Sequence, residues 1–211
     1  MAYSIVLSAL VAYLLGSINT SIIVSKLFGI SDIRNEGSGN AGATNTLRVL
    51  GAKAAVFVVI GDALKGIIAV IISRLVCASI FDIDNSDLCS YIAAVMVVLG
   101  HIFPLYFKFR GGKGIMTSIA VIFLLDYRIG LILVGIFAVL IFIFNYVSLA
   151  SCVCALAYPF LVICFHNGND YFLVSAIIIA LLAIIKHRTN IQRLLNGTES
   201  KLFKSKTNNK R

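Results

Sequence analysis

The chain has 211 residues, of which 60% are hydrophobic and only 13% are charged, about half the charged share of a soluble domain. That balance excludes water as the main solvent, and with it a soluble globular enzyme. The net charge of +9 does not point to nucleic acid, because no soluble domain is available to present a basic face and the basic residues flank apolar runs.

Apolar runs that approach or exceed the roughly 20 residues needed to cross a bilayer core recur along the chain. They predict an all-α polytopic membrane protein with about seven transmembrane helices, at residues 3–28, 52–81, 88–107, 115–125, 129–145, 148–165 and 172–186. A single membrane domain over residues 1–211 is expected, with a polar C-terminal tail over about 187–211. The first run lacks a basic leader and a clear small-residue cleavage site, so it reads as a retained span and not as a signal peptide. The stretch 111–126 is short for a full crossing, and a tilted, broken or re-entrant helix is expected there.

Alternate loops divide the charges. One set, with the tail, holds Arg34, Arg48, Lys53, Lys108, Arg110, Lys113, Lys186, Arg188, Arg193, Lys201, Lys204, Lys206, Lys210 and Arg211. The other holds Arg128 with Asp82, Asp84, Asp87, Asp126 and Asp170. The positive-inside rule puts the first set in the cytoplasm, the N-terminus outside and the C-terminus inside. Asn196-Gly197-Thr198, a glycosylation sequon in form, then faces the wrong compartment for that modification. Cys77, Cys89, Cys152, Cys154 and Cys164 include no C-x-x-C pair and no histidine at metal spacing. They read as small packing residues, and neither a disulfide nor a metal site is expected.

Three polar, glycine-rich segments share the basic side. The first, within 35–51, reads Asn35-Glu36-Gly37-Ser38-Gly39-Asn40-Ala41-Gly42-Ala43-Thr44-Asn45-Thr46-Leu47-Arg48. Small residues dense in N–H, hydroxyl and amide groups suit a phosphate cradle, and Arg48 adds a forked cation. An ordinary flexible loop is the plainer alternative. Its literal G-x-G-x-x-G lacks a preceding strand, so the dinucleotide reading fails on context. Within the second span, Asp62 and Lys65 are three residues apart, and each alone would cost about 2.5 to 3.5 kcal/mol at mid-membrane. They are expected to pair and support the site, with direct substrate contact as the second reading.

The second segment, Arg110-Gly111-Gly112-Lys113-Gly114, follows Gly100-His101-Ile102-Phe103-Pro104. It is no Walker A loop, since Gly114 stands where a magnesium-binding hydroxyl is needed. A helix start with Lys113 between glycines suits a phosphate, although basic charge alone would also serve only to set orientation. His101 near a span end and His166 in an outer loop are the less informative histidines. Ser148, after Asn145, reads first as a helix cap, with binding left open. The third segment, 187–199, puts His187 and Asn190 on one helical face, where they could share a target. A juxtamembrane amphipathic helix held to anionic lipid is the equal alternative.

Together these segments resemble the bacterial integral membrane acyl-phosphate:glycerol-3-phosphate acyltransferases. The resemblance runs over nearly the whole chain, through Gly16-Ser17-Ile18, Asp32-Ile33-Arg34, the Gly37 to Asn45 run, Asp62-Ala63-Leu64-Lys65-Gly66, Gly100-His101-Ile102-Phe103-Pro104, Gly111-Gly112-Lys113-Gly114 and the His187 to Glu199 segment. Asn19 stands where the family usually has proline, and Met116 where it usually has a small residue.

The resemblance implies a seven-span enzyme of the bacterial plasma (inner) membrane with its site facing the cytoplasm. Its substrates would be acyl phosphate and glycerol 3-phosphate, and its products lysophosphatidic acid and inorganic phosphate, the first acylation of phospholipid biosynthesis. It also implies no cofactor, no metal and no coenzyme A thioester. Membrane lipids and an acyl-phosphate-supplying enzyme are the implied partners. By analogy Ser38, Lys113, His187 and Asn190 are the catalytic set, with Gly39, Asn40, Gly42, Thr44, Asn45, Arg48, Gly112, Gly114 and Ser148 binding substrate. Proton transfer is expected to be substrate-assisted, with His187 as the alternative base. The competing class is an anion transporter, which would need an inverted repeat and polar lining through the outer half. The sequence has neither.

Overall fold

The computed structural model describes residues 2–81 and 86–203. Asp82, Asp84, Lys204, Lys206, Lys210 and Arg211, used above to orient the chain, lie outside the described residues. Within them the chain is helical, without a strand: α1 (Ala2–Gly16), α2 (Thr20–Leu27), α3 (Ala43–Phe81), α4 (Ser86–Ile102), α5 (Ile115–Leu125), α6 (Tyr127–Phe144), α7 (Val147–Phe165), α8 (Asp170–Lys186) and α9 (Arg188–Leu195).

Five stretches are long and apolar enough to cross a membrane: Tyr3–Leu27, Ala43–Ala78, Asp87–Phe107, Tyr127–Phe144 and Val147–Phe165. α8 and α9 make a sixth only as a pair bent by 57°. That falls one short of the seven expected. The seventh is α5, whose 11 residues reach roughly 17 Å against a core of about 30 Å. The outward faces are apolar, as lipid contact requires; Phe142 is 91% exposed and Leu131 57%.

Two expected boundaries move. The first span is broken at Ser17 to Asn19, where Asn19 Oδ1 accepts from the backbone N–H of Ile22 at 3.1 Å and caps α2. A proline at this position could not supply that oxygen. The third helix begins at Ala43 and not at Ala52, so half of the presumed loop is helical, with a break at Gly51 (φ 81°, ψ −177°).

α1 packs on α4 with almost no separation. A Cβ on Gly16 would lie 2.2 Å from the Val97 carbonyl oxygen, and one on Gly100 would lie 2.3 Å from that of Tyr13. Glycine at both positions is what lets the two backbones touch, the usual device for helices that cannot rely on a hydrophobic driving force.

At one end of the bundle Asp126 caps α6, pairs with Arg128 at 2.7 Å and meets His166 Nε2 at 2.7 Å. A disulfide joins Cys77 to Cys89 at the same end, contrary to the expectation of free thiols. The sequence spacing hid it: α3 and α4 pack as neighbours, which brings residues 12 apart in sequence to a Cα separation of 6.6 Å. Cys152, Cys154 and Cys164 are free.

Candidate active site

The other end gathers the three polar segments. Asp32 caps a 3₁₀ turn over Ile33–Asn35 and pairs with Arg34 at 2.6 Å. Arg34 in turn donates to the carbonyls of Phe107 at 2.8 Å and Arg110 at 3.0 Å. One guanidinium thus clasps the first glycine-rich segment to the second.

The first segment is shaped from inside by Asn45. Its Oδ1 accepts from Ser38 N–H at 2.8 Å and Ser38 Oγ at 3.1 Å, while its Nδ2 donates to the carbonyls of Ile33 and Glu36 at 3.2 and 3.0 Å. All four hydrogen-bonding places of the amide are taken, so Asn45 orders the loop that presents Ser38. Thr46 ties the same turn to α2 through Ser21 Oγ at 3.0 Å. The first turn of α3 brings Ala43 and Thr44 to the cavity wall, where helix-start N–H groups suit an anion.

The second segment closes behind. A Cβ on Gly112 would lie 2.3 Å from His101 Nε2 and 2.4 Å from the Ala41 carbonyl, so only glycine lets this loop lie between them. His101, one of the two less informative histidines in the sequence, belongs to a buried cluster. Lys65 Nζ pairs with Asp62 Oδ1 and hydrogen-bonds the Ile18 carbonyl and His101 Nδ1, each at 2.9 Å. The expected Asp62–Lys65 pair forms, and it holds the break between α1 and α2 against α3 and α4.

The third segment folds back over the site. His187 is the residue at which α8 ends and α9 turns away, and Asn190 follows in α9; both are buried. Lys113 Nζ donates to Asn190 Oδ1 at 2.5 Å, and Asn190 Nδ2 donates to Glu199 Oε1 at 2.7 Å. Ser148 Oγ reaches the same Oε1 at 2.8 Å, and Arg193 Nε reaches Oε2 at 2.7 Å. Ser148 is therefore no helix cap; Tyr146 occupies that position of α7. The expected polar tail is partly built into the site: Asn145 fixes it through the Phe203 backbone at 2.8 and 2.9 Å, and Arg48 donates to the Ser200 carbonyl at 3.3 Å.

Ser38, Asn40, Gly42, Thr44, Asn45, Arg48, Lys113, Gly114, Ser148, His187 and Asn190 line a single cavity of about 280 Å³. Asp62, His101 and Glu199 line it too. Gly39 faces an adjoining basic cavity that also holds Lys186, Arg188 and Arg193. Gly112 acts from behind the wall. Sequence reading missed His101 and Glu199; an acid inside an otherwise basic segment was the available signal for the second. Among the described residues no group of three His, Cys, Asp or Glu side chains is placed to hold a metal ion.

Burial pushes the Lys113 ammonium down to about 8, with the Glu199 carboxylate opposing. Burial, then Lys113, pushes His187 down to about 4, so the imidazole is neutral at physiological pH. Its Nδ1 lies 2.7 Å from the Ala183 carbonyl, an acceptor only, which puts the single ring proton on Nδ1 and leaves Nε2 as an acceptor. For Glu199 burial acts upward, but hydrogen bonds from Arg193, Asn190 and Ser148 outweigh it and hold the carboxyl below its ordinary value.

The polar cavity adjoins an apolar groove of about 230 Å³ between α5, α6, α7 and α8. Ile115, Met116, Phe137 and Ser151 belong to both walls. A charged, hydroxyl-rich chamber that shares a wall with a hydrocarbon slot suits a phosphorylated amphiphile.

The family model for glycerol-3-phosphate acyltransferase matches residues 6–197. The chain belongs to the glycerol-3-phosphate acyltransferase family. It is 45% identical over 197 residues to the glycerol-3-phosphate acyltransferase of Coxiella burnetii, covering 93% of this chain and 97% of the relative. The corresponding protein of Thermoanaerobacter pseudethanolicus is 47% identical over 93% of this chain and 95% of the relative. Crystal structures of PlsY, an integral membrane glycerol 3-phosphate acyltransferase, resemble it with TM-scores of 0.83 for the glycerol 3-phosphate form and 0.81 for the lysophosphatidic acid form. These share 37% and 35% identity over 94% of this chain and 95% of theirs. Membership of this family of membrane acyltransferases displaces the transporter reading.

Proposed function

We propose that the chain transfers a fatty acyl group from acyl phosphate to the 1-hydroxyl of glycerol 3-phosphate, giving lysophosphatidic acid and inorganic phosphate. The observation that carries this is the polar chamber lying against the apolar groove, with Ile115, Met116, Phe137 and Ser151 lining both. An acyl phosphate fits it with its phosphate at the Ser38 to Arg48 wall and its chain between α5 and α8. Glycerol 3-phosphate then lies against Lys113, Ser148, His187 and Asn190.

In the reaction the 1-hydroxyl oxygen attacks the acyl carbon, the bond from that carbon to the phosphate oxygen breaks, and phosphate leaves. The hydroxyl proton passes to a phosphate oxygen of the donor. A histidine held near 4 is a poor proton store, so His187 Nε2 accepts from the 2-hydroxyl of glycerol 3-phosphate and orients the substrate, while the leaving group takes the 1-hydroxyl proton. Lys113 offsets anionic charge, and the Ser38 hydroxyl turns from Asn45 Oδ1 to donate to the donor phosphate. The mixed anhydride is already activated, so no covalent enzyme intermediate is required.

The basic end of the bundle as the cytoplasmic face of a bacterial plasma membrane, with seven crossings in one membrane domain, belongs to the same proposal. The disulfide at the opposite end supports that orientation, since disulfides persist in oxidising compartments.

Purified protein incubated with glycerol 3-phosphate and palmitoyl phosphate should release phosphate and form lysophosphatidic acid. Palmitoyl-CoA should not replace the donor. The acyl-CoA pattern H-x-x-x-x-D is not met at His101, where Tyr106 stands at the acidic position. Comparable turnover with palmitoyl-CoA would overturn the donor assignment.

A further inference from the structure

The groove has a built floor. Its deep end is formed by Ile122 of α5, Leu133 of α6, Tyr158 of α7 and Ile179 of α8. Tyr158 is the largest of these and is only 1% exposed. It lies about 15 Å along the α7 axis from Ser148, at 1.5 Å per residue, on the side away from the polar chamber.

Behind Tyr158 lies a stack of packed rings. Its ring meets Phe172 edge-on at 6.4 Å, Phe172 stacks on Tyr91 at 4.7 Å, and His166 abuts Phe172 at 5.0 Å. Asn169 Nδ2 donates to the Tyr91 hydroxyl at 3.0 Å and pins this stack to the start of α8. A chain end that reaches Tyr158 therefore meets a packed aromatic wall backed by the far end of the bundle. The Tyr158 hydroxyl is buried and has no hydrogen-bond partner among the described residues. Hydrogen bonding thus does not explain a tyrosine here, and what its ring contributes is volume.

Resting on the acyl-transfer reading above, we propose that Tyr158 is the floor of the acyl groove and sets the longest acyl chain the enzyme uses efficiently. A methylene beyond the floor would have to displace the ring against Phe172, while a shorter chain leaves the slot partly empty. One methylene too many or too few for an apolar pocket changes kcat/KM by about tenfold or more.

The test measures kcat/KM for lauroyl, myristoyl, palmitoyl and stearoyl phosphate with the wild-type enzyme and with Tyr158→Leu, Tyr158→Ala and Tyr158→Phe. Shortening the side chain should move the optimum to a longer chain and raise the ratio of that chain to the wild-type optimum by at least about tenfold. Tyr158→Phe, which removes only the hydroxyl, should keep the wild-type profile. An unchanged profile in active Tyr158→Leu and Tyr158→Ala enzymes overturns the inference and leaves the acyl-transfer reading intact. Absence of phosphate release from every acyl phosphate with wild-type enzyme sinks the reading itself. Should the variants not fold, an acyl phosphate of the wild-type optimum length with a terminal diazirine decides on the wild-type protein. Labelling of Tyr158, Ile122 or Leu133 supports the floor, and labelling elsewhere overturns it.

Discussion

Lys113 and Asn190 are joined by a hydrogen bond from Nζ to Oδ1, although one lies before α5 and the other in α9. Through Asn190 the lysine connects to Glu199, Ser148 and Arg193. The loop charge and the terminal segment are thus one assembly.

Lys113→Ala should leave the protein inserted and folded, because the residue sits in a loop between glycines. Losing a charge-assisted phosphate contact costs about 1.5 to 3 kcal/mol, or roughly ten- to over a hundredfold in kcat/KM for glycerol 3-phosphate. Near-normal turnover at low substrate would make Lys113 an orientation signal only, and would move the phosphate site to Arg48 and Arg193.

A lysine held at about 8 gives a definite pH dependence. The ammonium is present below that value and lost as pH rises through it. kcat/KM for glycerol 3-phosphate should therefore fall as pH rises through about 8, levelling off at about the loss seen in Lys113→Ala. Lys113→Arg should be impaired, since a forked guanidinium does not reproduce a compact point donor. Its residual activity should nonetheless lack the alkaline fall, because arginine stays charged. A fall that persists in the arginine variant assigns the limb to another group.

The Asp62–Lys65–His101 cluster should behave as structure. Lys65→Met leaves a buried carboxylate without its ammonium and should destabilise the protein by about 3 to 5 kcal/mol. Thermal unfolding in detergent would report it, and adding Asp62→Leu should recover most of the loss. If Lys65→Met unfolds at the wild-type temperature, the cluster does not hold α3 against α4.

The sidedness can be read at exposed positions. Single cysteines at Glu36, Lys108 and Asn196 should share one accessibility, blocked from outside in intact cells, and one at Tyr127 should show the opposite. Gly37 and Gly111 are unsuitable for this, since an added Cβ would come within 2.4 Å of Asn45 Oδ1 at the first and 2.0 Å of the His101 carbonyl at the second. External labelling at any of the first three would reverse the orientation.

What the sequence determined by itself was the solvent and the inventory. Long apolar runs in a chain with few charges require lipid-facing helices, and the charge asymmetry sorts the loops into two sets before any contact is known. The segments carrying Ser38, Lys113, His187 and Asn190 were legible for the same local reason: glycine and polar side chains between apolar spans have no packing use. Only the tertiary structure decided the partners. Nothing local distinguishes Asn45, wholly engaged in ordering its loop, from Asn40 beside it, because that depends on where the Ile33 and Glu36 carbonyls fall. His101 gained its place from the Gly16–Gly100 approach of α1 to α4, and Cys77 met Cys89 because α3 and α4 are neighbours. Periodicity and charge record how each segment meets its solvent; which segments meet one another is set by packing across the bundle, which a local pattern does not encode.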